Sequence, residues 1–172
     1  WSMRRKNEKT SFYKYVRNTE QPIHTIIDAA AFSSTAKASD IKELTANLNS
    51  KEPAIRYWAT VGVLQLLERN LIVEIPKEIK SNFNNETENI EVRLMSAEIL
   101  IKHHNNLEAL TYVLDKVKAN YYIAYATLQN LGKLAKPIEN EIIELRKHKK
   151  LNQFYLKSAL INTGYMKYND LW

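Results

Sequence analysis

Cysteine is absent from this chain, and glycine and proline are scarce, with three and four in 172 residues. Without cysteine there is no disulfide, no thiolate metal ligand and no thiol nucleophile. So few glycines argue against a hairpin-rich fold, because tight hairpins lean on residues that tolerate positive φ. Gly62, Gly132 and Gly164 also lie too far apart to build a phosphate-cradling loop. No alternation of period two runs over a useful length, so no strands are expected. No segment approaches the ~18 consecutive apolar residues of a membrane span. The opening residues, WSMRRKNEKT, are basic but lack the apolar core of a signal peptide. A start at Trp1 without an initiator Met reads as a piece of a longer protein.

What is present fits a globular chain: 45% hydrophobic and 26% charged residues, enough length to bury a core without staples. The net charge of +6 is unevenly placed. Residues 1–20 carry six basic and two acidic groups, and residues 133–157 carry seven and three, so each stretch contributes +4. Residues 21–132 hold eleven basic against thirteen acidic groups, and 158–172 balances. A basic balance invites a nucleic-acid reading. An excess confined to two stretches, rather than a repeated stripe, favours solvated surface instead.

Helical spacing recurs along the chain. In PIHTIIDAAAFSSTAKA (22–38), Pro22 suits a first helical position and Ile23, Ile26, Ile27, Ala30 and Ala31 follow. Asp40 is placed to cap a helix faced by Ile41, Leu44 and Leu48. Pro53 then opens PAIRYWATVGVLQLL, where Ile55, Trp58, Ala59, Gly62, Val63 and Leu66 make one stripe. Tyr57, Val61 and Leu64 make a second, which predicts a helix covered on two faces. If Trp58 is buried there, Trp58→Ala should cost roughly 3–5 kcal/mol. Further helices are expected over IPKEIKSNF, IEVRLMSAEILIKHH, NLEALTYVLDKVKA (faced by Leu107, Leu110, Leu114 and Val117), YYIAYATLQNLGKLA, IENEIIELRKHKK and LNQFYLKSALINTG, with NNETEN as a polar loop.

These segments repeat. Ile55, Val92, Ile123 and Tyr155 align at spacings of 37, 31 and 32 residues. Four positions on stand Ala59, Ser96, Thr127 and Ala159, all small, which lets successive helices approach closely. One position after the anchor come Arg56, Arg93, Ala124 and Leu156, so the basic position is kept only in the first two units. Helix pairs recurring every 30-odd residues signal an α-solenoid. The fold expected is all-α: about four helix pairs of HEAT-like type plus an N-terminal helix. The tetratricopeptide period is similar, but Pro-x-Ile-Arg at the start of a second helix suits HEAT-like repeats better. An irregular helical bundle is the alternative. Residues 1–21 read as a basic connecting segment and 22–172 as the repeat domain.

Groups able to do chemistry do not assemble. His103 and His104 are adjacent, so on a helix they diverge by about 100°, and a pair at i and i+4 with a Glu is absent. They read as polar residues closing a helix before Asn105 and Asn106. His24 and His148 are isolated. Glu139, Glu141 and Glu144 read as acids favoured at a helix start, not as a carboxylate pair for acid–base work. Ser33 and Ser34 lack a Gly-x-Ser-x-Gly elbow. Tyr121, Tyr122 and Tyr125 suit stacking on bases or sugars, but at helical spacing inside a repeat they read first as core. No catalytic, metal-binding or cofactor-binding residue is assigned.

Three stretches nevertheless resemble the helical, HEAT-like C-terminal region that follows the catalytic domain in a group of bacterial sulfatases. PIHTIIDAA (22–30) is similar to a Pro-Leu-x-x-Ile-Leu-x-Ala-Ala helix. IRYWATVGV (55–63) is similar to Val-Arg-Tyr-Trp-Ala-Ala-x-Gly-Leu, and VRLMSAEIL (92–100) to Val-Arg-Leu-x-Ala-Ala-Glu-Ala-Leu. The order and rough spacing agree over about residues 12–135. The family's nucleophile comes from a Cys or Ser in Cys/Ser-x-Pro-x-Arg, oxidised to formylglycine beside a calcium ion. The positions two before Pro22, Pro53, Pro76 and Pro137 hold Glu20, Lys51, Glu74 and Ala135, and those two after hold His24, Ile55, Glu78 and Glu139. None fits.

The resemblance therefore implies a non-catalytic accessory domain that packs on a sulfatase catalytic domain and shapes the approach of a sulfated substrate. Calcium and formylglycine belong to that other domain, and a periplasmic or secreted location follows from the same reading. Trp1, Phe12, Tyr13, Tyr15, Tyr165, Tyr168 and Trp172 are offered either for contact with the catalytic domain or as caps on the repeat ends. The rival is a stand-alone HEAT-repeat scaffold binding nucleic acid or a protein, although Ala124 and Leu156 interrupt its basic column.

Overall fold

The computed structural model describes residues 38–171. The helix expected over 22–38 and the segment 1–21 lie outside the described residues apart from Ala38, as do His24, Ser33, Ser34, the N-terminal aromatic residues and Trp172. Two compact units divide the chain between Glu78 and Ile79. The described residues are helical and contain no strand, and no helix among them is long and apolar enough to cross a membrane.

In the first unit, a 3-10 turn (Ala38–Asp40) leads into α1 (Ile41–Asn47), and α1 packs on α2 (Pro53–Glu68). Asp40 stands at the cap position but makes no capping bond, because its backbone is already helical. Pro53 opens α2 as expected, since its missing N–H is one a helix leaves unpaired there anyway. Beyond Ala59 the helix buries Thr60, Gly62, Val63, Leu64, Leu66 and Leu67, while Tyr57 and Val61 of the second stripe are only half-buried. The first turns behave differently: Trp58 is 40% exposed, its ring edge-on to Tyr57. This corrects the expectation of a buried tryptophan, and a full large-to-small penalty does not apply to Trp58→Ala.

The second unit takes in most of α3 (Lys77–Asn84), then α4 (Ile90–His104), α5 (Leu107–Lys118), α6 (Tyr122–Leu131), a 3-10 stretch (Gly132–Ile138), α7 (Glu139–Leu145) and α8 (Gln153–Thr163). With so little glycine, asparagine shapes the turns. Asn105 takes the left-handed conformation that ends α4, and Asn106 caps α5 by accepting from the Ala109 N–H at 2.8 Å. Asn120 likewise has positive φ after α5, and Asn89 caps α4. The left-handed turn after α8 falls to Gly164.

Helices α4, α6 and α8 lie side by side, with α5 against α4 and α6, and with the 3-10 stretch and α7 against α8. Side-chain bonds between the three join residues 32 or 33 positions apart in sequence. Asn130 Nδ2 reaches Glu98 Oε2 at 3.5 Å, Asn162 Nδ2 donates to the Gln129 carbonyl at 3.1 Å, and the Tyr122 and Tyr155 hydroxyls bond each other. Residues near the start of α6 thus meet the start of α8, and residues near their ends meet likewise, so the two run parallel. The four small residues aligned from the sequence are all buried: Ala59 and Ser96 at 0%, Thr127 at 3% and Ala159 at 1% exposure.

Two further expectations are corrected. Leu107, read as part of the α5 buried face, is 63% exposed because it is the first residue of its helix, and the inward positions begin at Ala109 and Leu110. Of the three glutamates read as a helix start, Glu139 and Glu141 occupy the first turn of α7, but Glu144 sits in the last, ion-paired to Lys147.

Candidate functional site

Two clefts of the second unit are lined by charged side chains, and they differ in what those side chains do. The first, about 490 Å³, lies between Phe83, Arg93, Glu108 and Tyr112, with Glu86 and Asp115 on its rim. Arg93 projects from the first turns of α4. Its Nε donates to the Phe83 carbonyl at 3.0 Å, in the last turn of α3, and its guanidinium lies 4.4 Å from the centre of the Tyr112 ring. Phe83 meets Tyr112 edge-on at 5.6 Å, and Lys116 lies 5.0 Å from the same tyrosine ring. Burial raises the Tyr112 pKa above the usual tyrosine value, against the opposing pull of Arg93. Each cation here stacks on an aromatic ring or bonds a helix end, so the cleft ties α3, α4 and α5 together.

Arg56, the matching residue in the first unit, does similar work: its Nη1 donates to the Ser50 carbonyl just after α1 at 2.6 Å. Both members of the basic column therefore bond a backbone carbonyl that precedes their own helix, Arg93 in the last turn of α3 and Arg56 three residues past the end of α1.

The second cleft, about 800 Å³, is open and basic. Lys118 from the end of α5 faces Lys147, His148, Lys149 and Lys150, over a floor of Leu145 and Leu151. The run Arg146–Lys150 leaves the helix because α7 ends at Leu145, which turns the sequence RKHKK into a wall instead of a solvated helical face. Lys147 pairs with exposed Glu144 and Lys118 with exposed Asp115. Lys149 and Lys150 have no ion-pair partner among the described residues.

Aromatic residues follow the cleft's two sides in sequence. Tyr121 and Tyr122 follow Lys118 by three and four residues, and Phe154 and Tyr155 follow Leu151 by the same intervals. Tyr121, Tyr122 and Phe154 are exposed. Tyr155 meets Tyr122 at 85° and Phe154 at 87° between ring planes. The bond from Tyr122 and then burial raise the Tyr155 pKa. Tyr125 is buried core, as expected, and its hydroxyl fixes the two sides of the site. It donates to Asn120 Oδ1 at 2.9 Å and accepts from the Asn152 N–H at 3.2 Å, pinning the α5–α6 turn to the α7–α8 turn.

The remaining titratable groups stay apart. His103 and His104 close α4 beside Lys102. His148 is on the basic wall, and its carbonyl accepts from Gln153 Nε2 at 2.9 Å. Hydrogen bonds from Lys136 first, then Thr163, lower the Glu139 pKa. Glu98, a buried carboxylate that sequence reading passed over, is held by Lys102 at 2.8 Å and reached by Asn130. No group of three or more His, Cys, Asp or Glu residues placed to hold a metal occurs among the described residues. Tyr165 and Tyr168, offered from the sequence for a domain contact, are exposed.

Sequence reading missed the basic wall and Phe154. The available signal was the run RKHKK, a pattern of polyanion-binding patches, standing just before an aromatic pair. Compared with family models, curated proteins and solved structures, the chain matches none.

Proposed function

We propose that this chain is a non-catalytic helical-repeat scaffold of HEAT-like type, and that it serves as the C-terminal accessory region of a sulfatase. For the repeat, the support is the one-repeat spacing of the bonds between α4, α6 and α8, with a buried small residue at the same position in each unit. One observation carries the sulfatase reading. Arg56 and Arg93, the arginines of the two motifs that resemble that family's helices, do a similar job, each bonding a backbone carbonyl of the segment that leads into its own helix. A motif kept for a repeated structural task is what a family of stacked units would preserve. The repeat domain spans 22–172 in this reading, behind a connecting segment at 1–21, and the catalytic domain would bring the formylglycine and its calcium.

The residues encoded upstream of Trp1 test it. A Cys/Ser-x-Pro-x-Arg motif in a domain preceding this one is the expected result. An upstream region lacking such a motif, whether it encodes a different domain or a start codon directly before Trp1, would leave only a helical scaffold.

A further inference from the structure

We propose that the cleft walled by Lys118, Lys147, Lys149 and Lys150 is a non-catalytic binding site for a sulfated polysaccharide chain. The inference rests on the sulfatase reading only for the choice of sulfate as the anion; the rest comes from the site.

The cleft's volume, about 800 Å³, falls in the range of ligand clefts, roughly 300–1,000 Å³. Four cations line it. Two have no ion-pair partner among the described residues. The partners of the other two, Asp115 and Glu144, are themselves exposed, and such pairs are weak enough for an incoming anion to displace. Leu145 and Leu151 give the floor an apolar surface for the C–H face of a sugar ring.

Nucleic acid fits less well. A single strand gains affinity by stacking successive bases on aromatic faces. The residues lining this cleft include no Phe, Tyr or Trp to serve as such a platform. The Tyr125 hydroxyl, bonded to both turns, holds the lysines of the two sides at fixed separation before a ligand arrives, which lowers the ordering cost of binding.

Titration of the 172-residue chain at about 50 mM salt, where screening is modest, tests the site with three probes: heparin, the same heparin after chemical desulfation, and single-stranded oligothymidylate of equal length. Heparin should bind, and both other probes should bind at least about tenfold more weakly. The triple variant Lys147→Ala/Lys149→Ala/Lys150→Ala should lose about tenfold or more of the heparin affinity, as three lost charge contacts would. Its helicity and urea midpoint should be unchanged. The proposal is overturned by absent heparin binding, by equal affinity for desulfated heparin or for oligothymidylate, or by a triple variant that binds like the parent. These failures are distinct from failure of the sulfatase reading, which the upstream sequence alone decides.

Discussion

The two clefts of the second unit use cations in opposite ways. Around Arg93 the guanidinium bonds a backbone carbonyl and lies over Tyr112, so its charge is satisfied within the fold. Around Lys147–Lys150 the cations lie in a turn that begins where α7 ends, paired weakly or not at all with other described residues. A structural cation is recognised by its bonds to backbone and aromatic ring, and a recruiting one by their absence beside an apolar floor. Sequence alone ranks the residues the other way, because the arginine recurs in register and the lysines do not.

Arg93→Ala should break the first cleft. It removes a charged hydrogen bond to the Phe83 carbonyl and the stacking on Tyr112, together about 2–3 kcal/mol, read as a lowered urea midpoint. Arg93→Lys should recover only part, since an ammonium lacks the planar face and the Nε donor. A loss under about 0.5 kcal/mol for the alanine variant would place Arg93 with the surface lysines and erase the distinction.

Tyr125→Phe probes the link between the basic wall and the fold. The ring stays, but the Asn152 N–H and Asn120 Oδ1 lose their shared partner. A loss of about 1–2 kcal/mol is expected for leaving such groups unsatisfied, with weaker heparin binding because the two turns are no longer pinned. Unchanged stability together with unchanged binding would mean that the turns hold their spacing by other contacts.

Ser96→Ala should have a smaller effect of opposite sign. Its hydroxyl is buried with no hydrogen-bond partner, at the position that Ala59 and Ala159 fill elsewhere. Removing an unsatisfied buried hydroxyl and gaining helix propensity should raise stability by about 1 kcal/mol in urea melts. A destabilised variant would reveal a partner for the hydroxyl and weaken the equivalence of the small positions.

Much of the helical layout was legible in the chain. Pro53, Asn106 and the small residues at one register position mark helix starts and contacts through local chemistry that tertiary structure did not override. The exposure of Trp58 was not legible, because periodicity names the face of a helix but not how far its first turns project past their neighbours. The break at Gly132 shortened a segment that apolar spacing alone would have carried further. The basic cleft was hidden for a different reason: Lys118 and Lys147 are 29 residues apart in sequence, and only the packing of α5 against the 3-10 stretch and of α7 against α8 brings their turns together. Charge counted along the chain showed an excess in 133–157 but not that it faced a lysine from α5.

Lys147→Ala/Lys149→Ala/Lys150→Ala should have the smallest effect on stability and for that reason sharpens the comparison most. Lys147 loses one exposed ion pair, and Lys149 and Lys150 lose none among the described residues. Exposed pairs contribute ~0–1 kcal/mol, and surface substitutions away from special features shift stability by about 0.5 kcal/mol or less. Removing three neighbouring like charges also relieves repulsion, which offsets the lost pair. The urea midpoint should therefore hardly move, and could rise slightly. A loss above about 1.5 kcal/mol would mean that these lysines are held by the fold as Arg93 is. The near-zero result, set beside a large loss for Arg93→Ala, would show that one unit separates cations that build it from cations left available for a ligand.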